Sequence, residues 1–311
     1  MRRVLAVLGA VGMVAAAVII RQAIDDEGTG STTDGTIVVV CAEDLLDECE
    51  ALGDGIEVRT ESAADTAEAL AAGALAEDVD AWITSSAWLE VVTERTPGAL
   101  GDARAIATSP TVVATAPGRY EAIIDLCATR DVWACLGDAA GTDWADLGDG
   151  THPEWRELKV GLTDPDSAVG LSGLASASAG FFGTAEFAVN DPAFAEFESW
   201  LANLAGPSAP GDPDPARTLA TRPGTYSAAG SVAAITSGFE ARDVEPIAPD
   251  QDVGVTVAVV AIGDHHLPDT AAVRDALVHA GWVRATDTDL APTLKPGVMA
   301  ALHTLWREVT R

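Results

Sequence analysis

TIVVVCAEDLLDECEALGDGIEVRTESAADTAEALAAGALAEDVDAWITSSAWLE, residues 36–90, alternates short apolar runs with segments of helical period. Thr36–Cys41 (TIVVVC) is a continuous β-branched run, the pattern of a strand buried on both faces. Asp44–Leu52 has amphipathic helical spacing, and Ile56–Thr60 returns to a strand. Ser62 and Asp65 open a helix that runs to about Ala72. Val79–Thr84 (VDAWIT) reads as a third strand and Ala87–Glu94 as a helix after it. This βαβαβ order predicts a parallel sheet with right-handed crossovers.

Downstream, Ala103–Ala116 carries an apolar run that Pro117-Gly118 ends, and Tyr120–Ala128 and Trp144–Leu147 read as helices. Lys159–Leu162 (KVGL) is a strand, Thr163–Ser167 (TDPDS) a loop, and Gly170–Gly180 a small-residue helix that must pack tightly. Ala193–Leu204 is amphipathic, with Phe194, Phe197, Trp200 and Leu201 on one face. Pro207–Pro215 is a loop, Leu219–Thr225 leads into a strand and turn, and Ser227–Ser237 reads as a helix. Val244–Ile247 crosses back, and Val253–Ile262 (VGVTVAVVAI) needs a buried place between other strands, for which the first sheet is the natural host. Helices at Thr270–Ala280 and Pro296–Val309 follow. The chain therefore divides into a discontinuous lobe 1 (36–116 and 248–311) and a lobe 2 (117–247), with crossings near 116–118 and 245–250. Ligands of such α/β sheets dock beyond the carboxyl ends of the strands.

Arg2 and Arg3 precede an uncharged stretch, Val4–Ile20, that ends at Arg21. As a helix it spans roughly 25 Å, the lower edge of a membrane crossing. Residues 1–24 are expected to be a signal anchor with the body outside the cell membrane. Cleavage after the small residues Ala15-Ala16-Ala17, giving a secreted form, is the alternative. Residues 25–35 read as a flexible tether.

Of 311 residues, 48 are acidic and 18 are Lys or Arg, a formal net charge of -30. Lys159 and Lys295 are the two lysines, and no basic cluster exists to hold a phosphate backbone, so nucleic acid is excluded as a partner. Four cysteines in an exported chain suggest disulfides. Cys41 and Cys49, and Cys127 and Cys135, share a spacing of eight, and these local pairs are the expected bridges. A straight helix would hold such residues about 12 Å apart, so each pair predicts a chain reversal.

The phrases IVVVCAEDLLDECEAL (37–52), DAWITSSAWL (80–89) and KVGLTDPDSAVGLSGLASASAGFFG (159–183) resemble those of type II periplasmic substrate-binding proteins, the receptor components of ABC importers. The element order is similar over about 36–285, most nearly to divergent actinobacterial extracellular members, some of which sit beside von Willebrand factor A modules. The resemblance implies an α/β, two-lobed type II periplasmic-binding-protein-like fold, here with an N-terminal transmembrane helix. It implies lobes that close on a small-molecule solute, with a membrane permease or a von Willebrand factor A-type protein as partner. The chain departs from lipid-anchored receptors in lacking a lipobox cysteine. A ligand-free interaction protein on the same fold is the alternative.

Four polar groups are candidates for solute contact. Ser85 and Ser86 follow the third strand and open a helix; Ser109 and Thr111 flank Pro110. Asp164 and Ser167 sit in the loop before the small-residue helix; Thr225, Tyr226 and Ser227 precede the segment read as a helix. Asp264-His265-His266 has metal-ligand chemistry, but adjacent strand side chains point apart, so no metal or other cofactor is expected. HExxH, P-loop and GxGxxG patterns are absent, and GTYSAAG (224–230) lacks GxSxG, so no catalytic residue is expected. Intact-mass measurement of the exported protein checks the leader: a retained anchor leaves the mass of the full chain, whereas cleavage removes roughly 17 residues.

Overall fold

Strand β1 (Ile37–Ala42) is buried from Val38 to Ala42, as its β-branched run requires. Residues 36–75, 77–148, 150, 152–188, 194–206, 212–290, 294–295 and 297–310 are described by the computed structural model. The expected anchor and tether lie outside these residues, and no helix among the described residues is long and apolar enough to cross a membrane.

β1 pairs in parallel with β2 (Ile56–Glu61) on one side and β3 (Ala81–Ser85) on the other. A 3-10 turn (Glu43–Leu45) and one-turn helix α1 (Leu46–Cys49) link β1 to β2, where the sequence suggested a longer helix. The Cys41–Cys49 disulfide, with Cα atoms 6.5 Å apart, closes that reversal. Helix α2 (Ala63–Ala72) starts where Ser62 Oγ accepts the Asp65 N–H at 3.0 Å, and stops at Gly73, whose φ is 61°. Helix α3 (Ser86–Arg95) follows β3, and β4 (Leu100–Ser109) ends at Pro110.

A second sheet begins with β5 (Thr111–Thr115). Then come α4 (Tyr120–Leu126) and α5 (Val132–Ala139), joined by the Cys127–Cys135 disulfide with Cα atoms 5.5 Å apart. Strand β6 (Val160–Gly161), the long helix α6 (Ala168–Phe182), α7 (Phe194–Ala205) and α8 (Pro215–Thr221) follow. β7 (Ala228–Val232), α9 (Ala233–Ser237) and β8 (Glu245–Ile247) complete this half. The chain then returns to the first sheet through β9 (Val255–Ile262), α10 (Ala271–His279), β10 (Val283–Arg284) and α11 (Val298–Val309). The first sheet has the order β10-β4-β9-β3-β1-β2 and the second β6-β7-β5-β8.

Two further features differ from the sequence reading, each for a physical reason. Thr111–Thr115 was placed with the first lobe's strands, but β5 lies between β7 and β8 in the second sheet. Pro110 has no N–H to give a ladder, so the apolar run 103–116 is broken there, and the first crossing lies at Ser109-Pro110 rather than at 116–118. Ser227–Ser237 is not one helix. Ala228–Val232 forms a strand because β5 and β6 flank it and Trp133 covers Gly230, where only small side chains fit. β9 does enter the first sheet between β3 and β4, but antiparallel to both, and seven of its eight residues are buried.

Helix α6 is the common packing partner of the two halves. It touches β3 and β9 of the first sheet and β5 and β7 of the second. Twelve of the thirteen residues from Ala168 to Gly180, all but Gly173, are buried. Its composition of Gly, Ala and Ser lets neighbours approach its backbone. A Cβ added to Gly170 would lie 1.9 Å from the Asp164 carbonyl oxygen, and one on Gly180 2.3 Å from the Asp131 carboxylate. Gly170→Ala is therefore expected to cost about 1–3 kcal/mol or more through overpacking. Gly173→Ala, whose Cβ would meet nothing within 4 Å, should be neutral or raise stability by about 0.5–1 kcal/mol. Urea unfolding of the two variants measures the contrast.

Candidate functional site

The carboxyl ends of β1 and β3 and the loop after β6 converge at the start of α6. Ser167 caps that helix, its Oγ accepting the Gly170 N–H at 2.9 Å. Asp164 Oδ1 accepts the Asp166 N–H at 3.0 Å, an Asx turn that shapes the loop. Both residues thus spend side-chain oxygens on their own backbone.

The first sheet grips this loop at several points. Asp44, in the turn after β1, takes the Ala168 N–H on Oδ1 at 3.0 Å and the Val169 N–H on Oδ2 at 2.9 Å. The Ala64 N–H, at the start of α2, donates to the Asp166 carbonyl at 3.0 Å. Trp88 Nε1, on α3, donates to the Ser167 carbonyl at 2.8 Å. From α11, His303 Nε2 lies 2.6 Å from Asp166 Oδ1, and Arg307 lies 3.5 Å from Asp166 Oδ2 while also pairing with Glu68. The His303 ring meets the Trp88 ring edge-on, with centroids 4.9 Å apart.

Removal from water pushes the Asp44 pKa above the ordinary carboxylate value, against the downward pull of the two N–H bonds. The hydrogen bond from His303, more than the nearby charge of Arg307, draws the Asp166 pKa below its ordinary value. Thr84 Oγ1 and Ser85 Oγ are enclosed at the end of β3 and have no hydrogen-bond partner. Ser86, the first residue of α3, is half-buried. Between the halves a cavity of about 10 Å³ is lined by Leu162, Thr163, Val169, Gly173, Ser231 and Trp306. That is at most the room of one water molecule.

Ser109 and Thr111 sit at the first crossing. Ser109 Oγ accepts the Ala234 N–H at 3.1 Å. The Thr111 N–H and hydroxyl both donate to Asp252 Oδ1, at 2.9 and 2.7 Å, and the Gly254 N–H reaches the same oxygen at 2.8 Å. Asp252, unremarked in the sequence, therefore ties one crossing to the other. Thr225, Tyr226 and Ser227 lie at the opposite end of β7. Val232 pairs with Thr111 near the crossing, whereas Ala228 pairs with Val160 and Thr115. Ser227 Oγ accepts from Arg119 Nη1 at 2.7 Å and from Trp144 Nε1 at 3.2 Å, and Arg119 stands over the Trp155 ring. Burial, with Asp212 nearby, pushes the Tyr226 hydroxyl up to about 12. This corner is a packing element of the second half and does not join the other candidates.

Near the first sheet's far end, His265 Nδ1 pairs with Asp80 at 2.8 Å rather than with Asp264. Among the described residues no group of three or more His, Cys, Asp or Glu side chains is gathered for a metal. Asp44, Asp166, Asp252 and His303 were missed because each acts on a partner far away in the chain. The signal available was an acid at the end of a buried strand, and Asp44 is one of many acids.

The family model for bacterial extracellular solute-binding proteins matches residues 50–210. No curated protein matches the chain. Among solved structures, it is similar to the periplasmic binding protein AfuA from Actinobacillus pleuropneumoniae, with fructose-6-phosphate bound (12% identity, 89% of this chain and 97% of that one, TM-score 0.55). It is also similar to the ferric binding protein from Campylobacter jejuni (13% identity, 88% and 99%, TM-score 0.51). Iron-bound HitA from Pseudomonas aeruginosa is a third (14% identity, 88% and 99%, TM-score 0.51). At such identities the likeness shows the fold alone.

The Asp166–His303 contact carries a pH signature. Because the folded state lowers the Asp166 pKa, the contact stabilises above the unfolded carboxylate value of about 3.9 and is lost as pH falls through the lower folded value. Urea titrations should find wild type more stable than Asp166→Asn at pH 6, with the gap shrinking steadily below about pH 4.

Proposed function

The chain belongs to the bacterial extracellular solute-binding proteins, and we propose that it closes two lobes, one built on each sheet, around a small solute outside the cytoplasm, for transport or sensing. The observation that carries this reading is the convergence of β1, β2 and β3 on the loop 163–167 and the head of α6 in the other half, with hydrogen bonds spanning the junction. Such bonds stabilise a closed arrangement, and the small cavity beside this loop, about 10 Å³, supports entry of solute by separation of the halves. Ser109-Pro110-Thr111 and the segment around Asp252 are the two strands of the connection about which they separate. Once open, Ser85 and Ser86 on one side and Asp164 and Ser167 on the other face the solute. The buried hydroxyl of Ser85, unpartnered when closed, supports this assignment.

The apolar run Val4–Ile20 holds the body at the outer face of the cell membrane, with residues 25–35 as its tether. A membrane permease is the partner that receives the solute, and the protein has no catalytic task. A second reading, an extracellular interaction protein that keeps the fold without a solute and engages a von Willebrand factor A-type partner, is favoured by the side chains that fill the junction, Trp88, His303 and Trp306 among them.

A thermal-shift screen of the full chain against oxyanions, amino acids, sugars and metal ions separates the two. A solute at one hundred times its Kd adds about 2.7 kcal/mol, which raises Tm by several degrees. A shift from one solute class supports the first reading; a flat response across all classes leaves the second.

A further inference from the structure

Asp44 does not behave as an ordinary surface acid. It stands in the turn after β1, in the first half, yet both of its oxygens are bound by the first two N–H groups of α6, in the second. The Ser167 hydroxyl, which caps the same helix, lies close enough to favour the Asp44 charge. Two backbone N–H groups at the head of a 15-residue helix, with a hydroxyl beside them, form the arrangement that receives a carboxylate, sulfate or phosphate. Here a carboxylate of the chain itself fills it. In the neighbouring strand, β3, Thr84 Oγ1 and Ser85 Oγ are enclosed at the same end of the sheet without partners. Polar capacity is therefore left over at the end of the strand beside β1, on opposite faces of the sheet, near a seat already taken.

We propose that Asp44 is the specificity-determining residue of this junction: its carboxylate occupies the anion seat at the head of α6 and turns oxyanionic solutes away. The proposal rests on the solute-binding reading and narrows it, because the solute presents a neutral or cationic group to α6. Charge works in the same direction. Asp164 and Asp166 lie in the adjoining loop; the Arg307 guanidinium that reaches it is engaged with Asp166 and Glu68, and the His303 ring is taken by Asp166. An oxyanion seated there would keep Asp44 from returning as the halves close, and would sit among like charges. The cost of holding Asp44 out of water, visible in its raised pKa, is borne by the closed state and ends when the halves part.

Calorimetric titration of the full chain with inorganic sulfate and with inorganic phosphate tests this directly. The variants are Asp44→Ala, which empties the seat, and Asp44→Asn, which keeps the shape and removes the charge. Wild type is expected to give no saturable heat at millimolar anion. Asp44→Ala is expected to bind one of the two anions at least about tenfold more tightly than wild type, the factor that 1.4 kcal/mol represents. If Asp44→Ala does not fold by circular dichroism, Asp44→Asn is read by the same criterion. A folded variant with no gain over wild type overturns the proposal, and so does a wild type that already binds either anion as tightly as the variant. The outcome is independent of the solute screen: a wild type that answers no solute removes the solute-binding reading, whereas failure of the variants to gain an anion removes the role of Asp44 alone.

Discussion

Close approach to helix α6 is the constraint on which the structure depends. A helix that touches two sheets at once leaves little space for side chains, and Gly, Ala and Ser are what fit between. Gly170 lets the Asp164 carbonyl lie against the helix, and Gly180 lets Asp131 and Trp133 do so. Bulky side chains sit beside it instead: Trp88 reaches the Ser167 carbonyl, Trp133 lies against Gly180, and Phe197 meets Phe181 and Phe182. The loop 163–167 keeps its shape because α6 is approached so closely, and the polar contacts of the junction depend on that loop.

The junction is polar in its bonds but not in its space. Carbonyls and carboxylates of the second half meet N–H groups, an indole and an imidazole of the first, and the cavity beside the loop 163–167 holds no more than a water. The distribution of charge fits a strongly acidic chain. Its acids are mostly exposed, where they repel one another weakly through solvent, and Asp44, drawn out of water, is stabilised by helix N–H groups rather than by a cation. Neutral donors are a sensible solution in a protein with 48 acids and 18 Lys or Arg.

Much of the fold was legible where local pattern and tertiary position agree. TIVVVC and VGVTVAVVAI are strands because β-branched runs suit a sheet buried on both faces, and both occupy the sheet interior. The cysteine spacing pointed to chain reversals, which both disulfides close. AAGSV (228–232) was not legible as a strand, since alanine, glycine and serine carry no strand preference and only its neighbours impose the conformation. That error also displaced part of the candidate site, because Thr225–Ser227 lie at the start of a strand rather than at the start of a helix. The loop Thr163–Ser167 was found, because an Asp-Pro turn before small residues is a local signal. Its partners were not: Asp44 reaches across 124 positions to Ala168, and His303 across 137 to Asp166, distances over which sequence pattern carries no information.

Asp44 stands inside the ring that Cys41 and Cys49 close, five positions before the second cysteine. The peptide that carries the carboxylate is therefore short and covalently bounded at both ends. Such a ring is a product of an oxidising compartment, and in a reducing cytosol the same span, Cys41 to Cys49, is open. The seat at the head of α6 is thus furnished by chemistry that belongs to the far side of the membrane, so that redox history, as much as sequence, sets where this carboxylate stands.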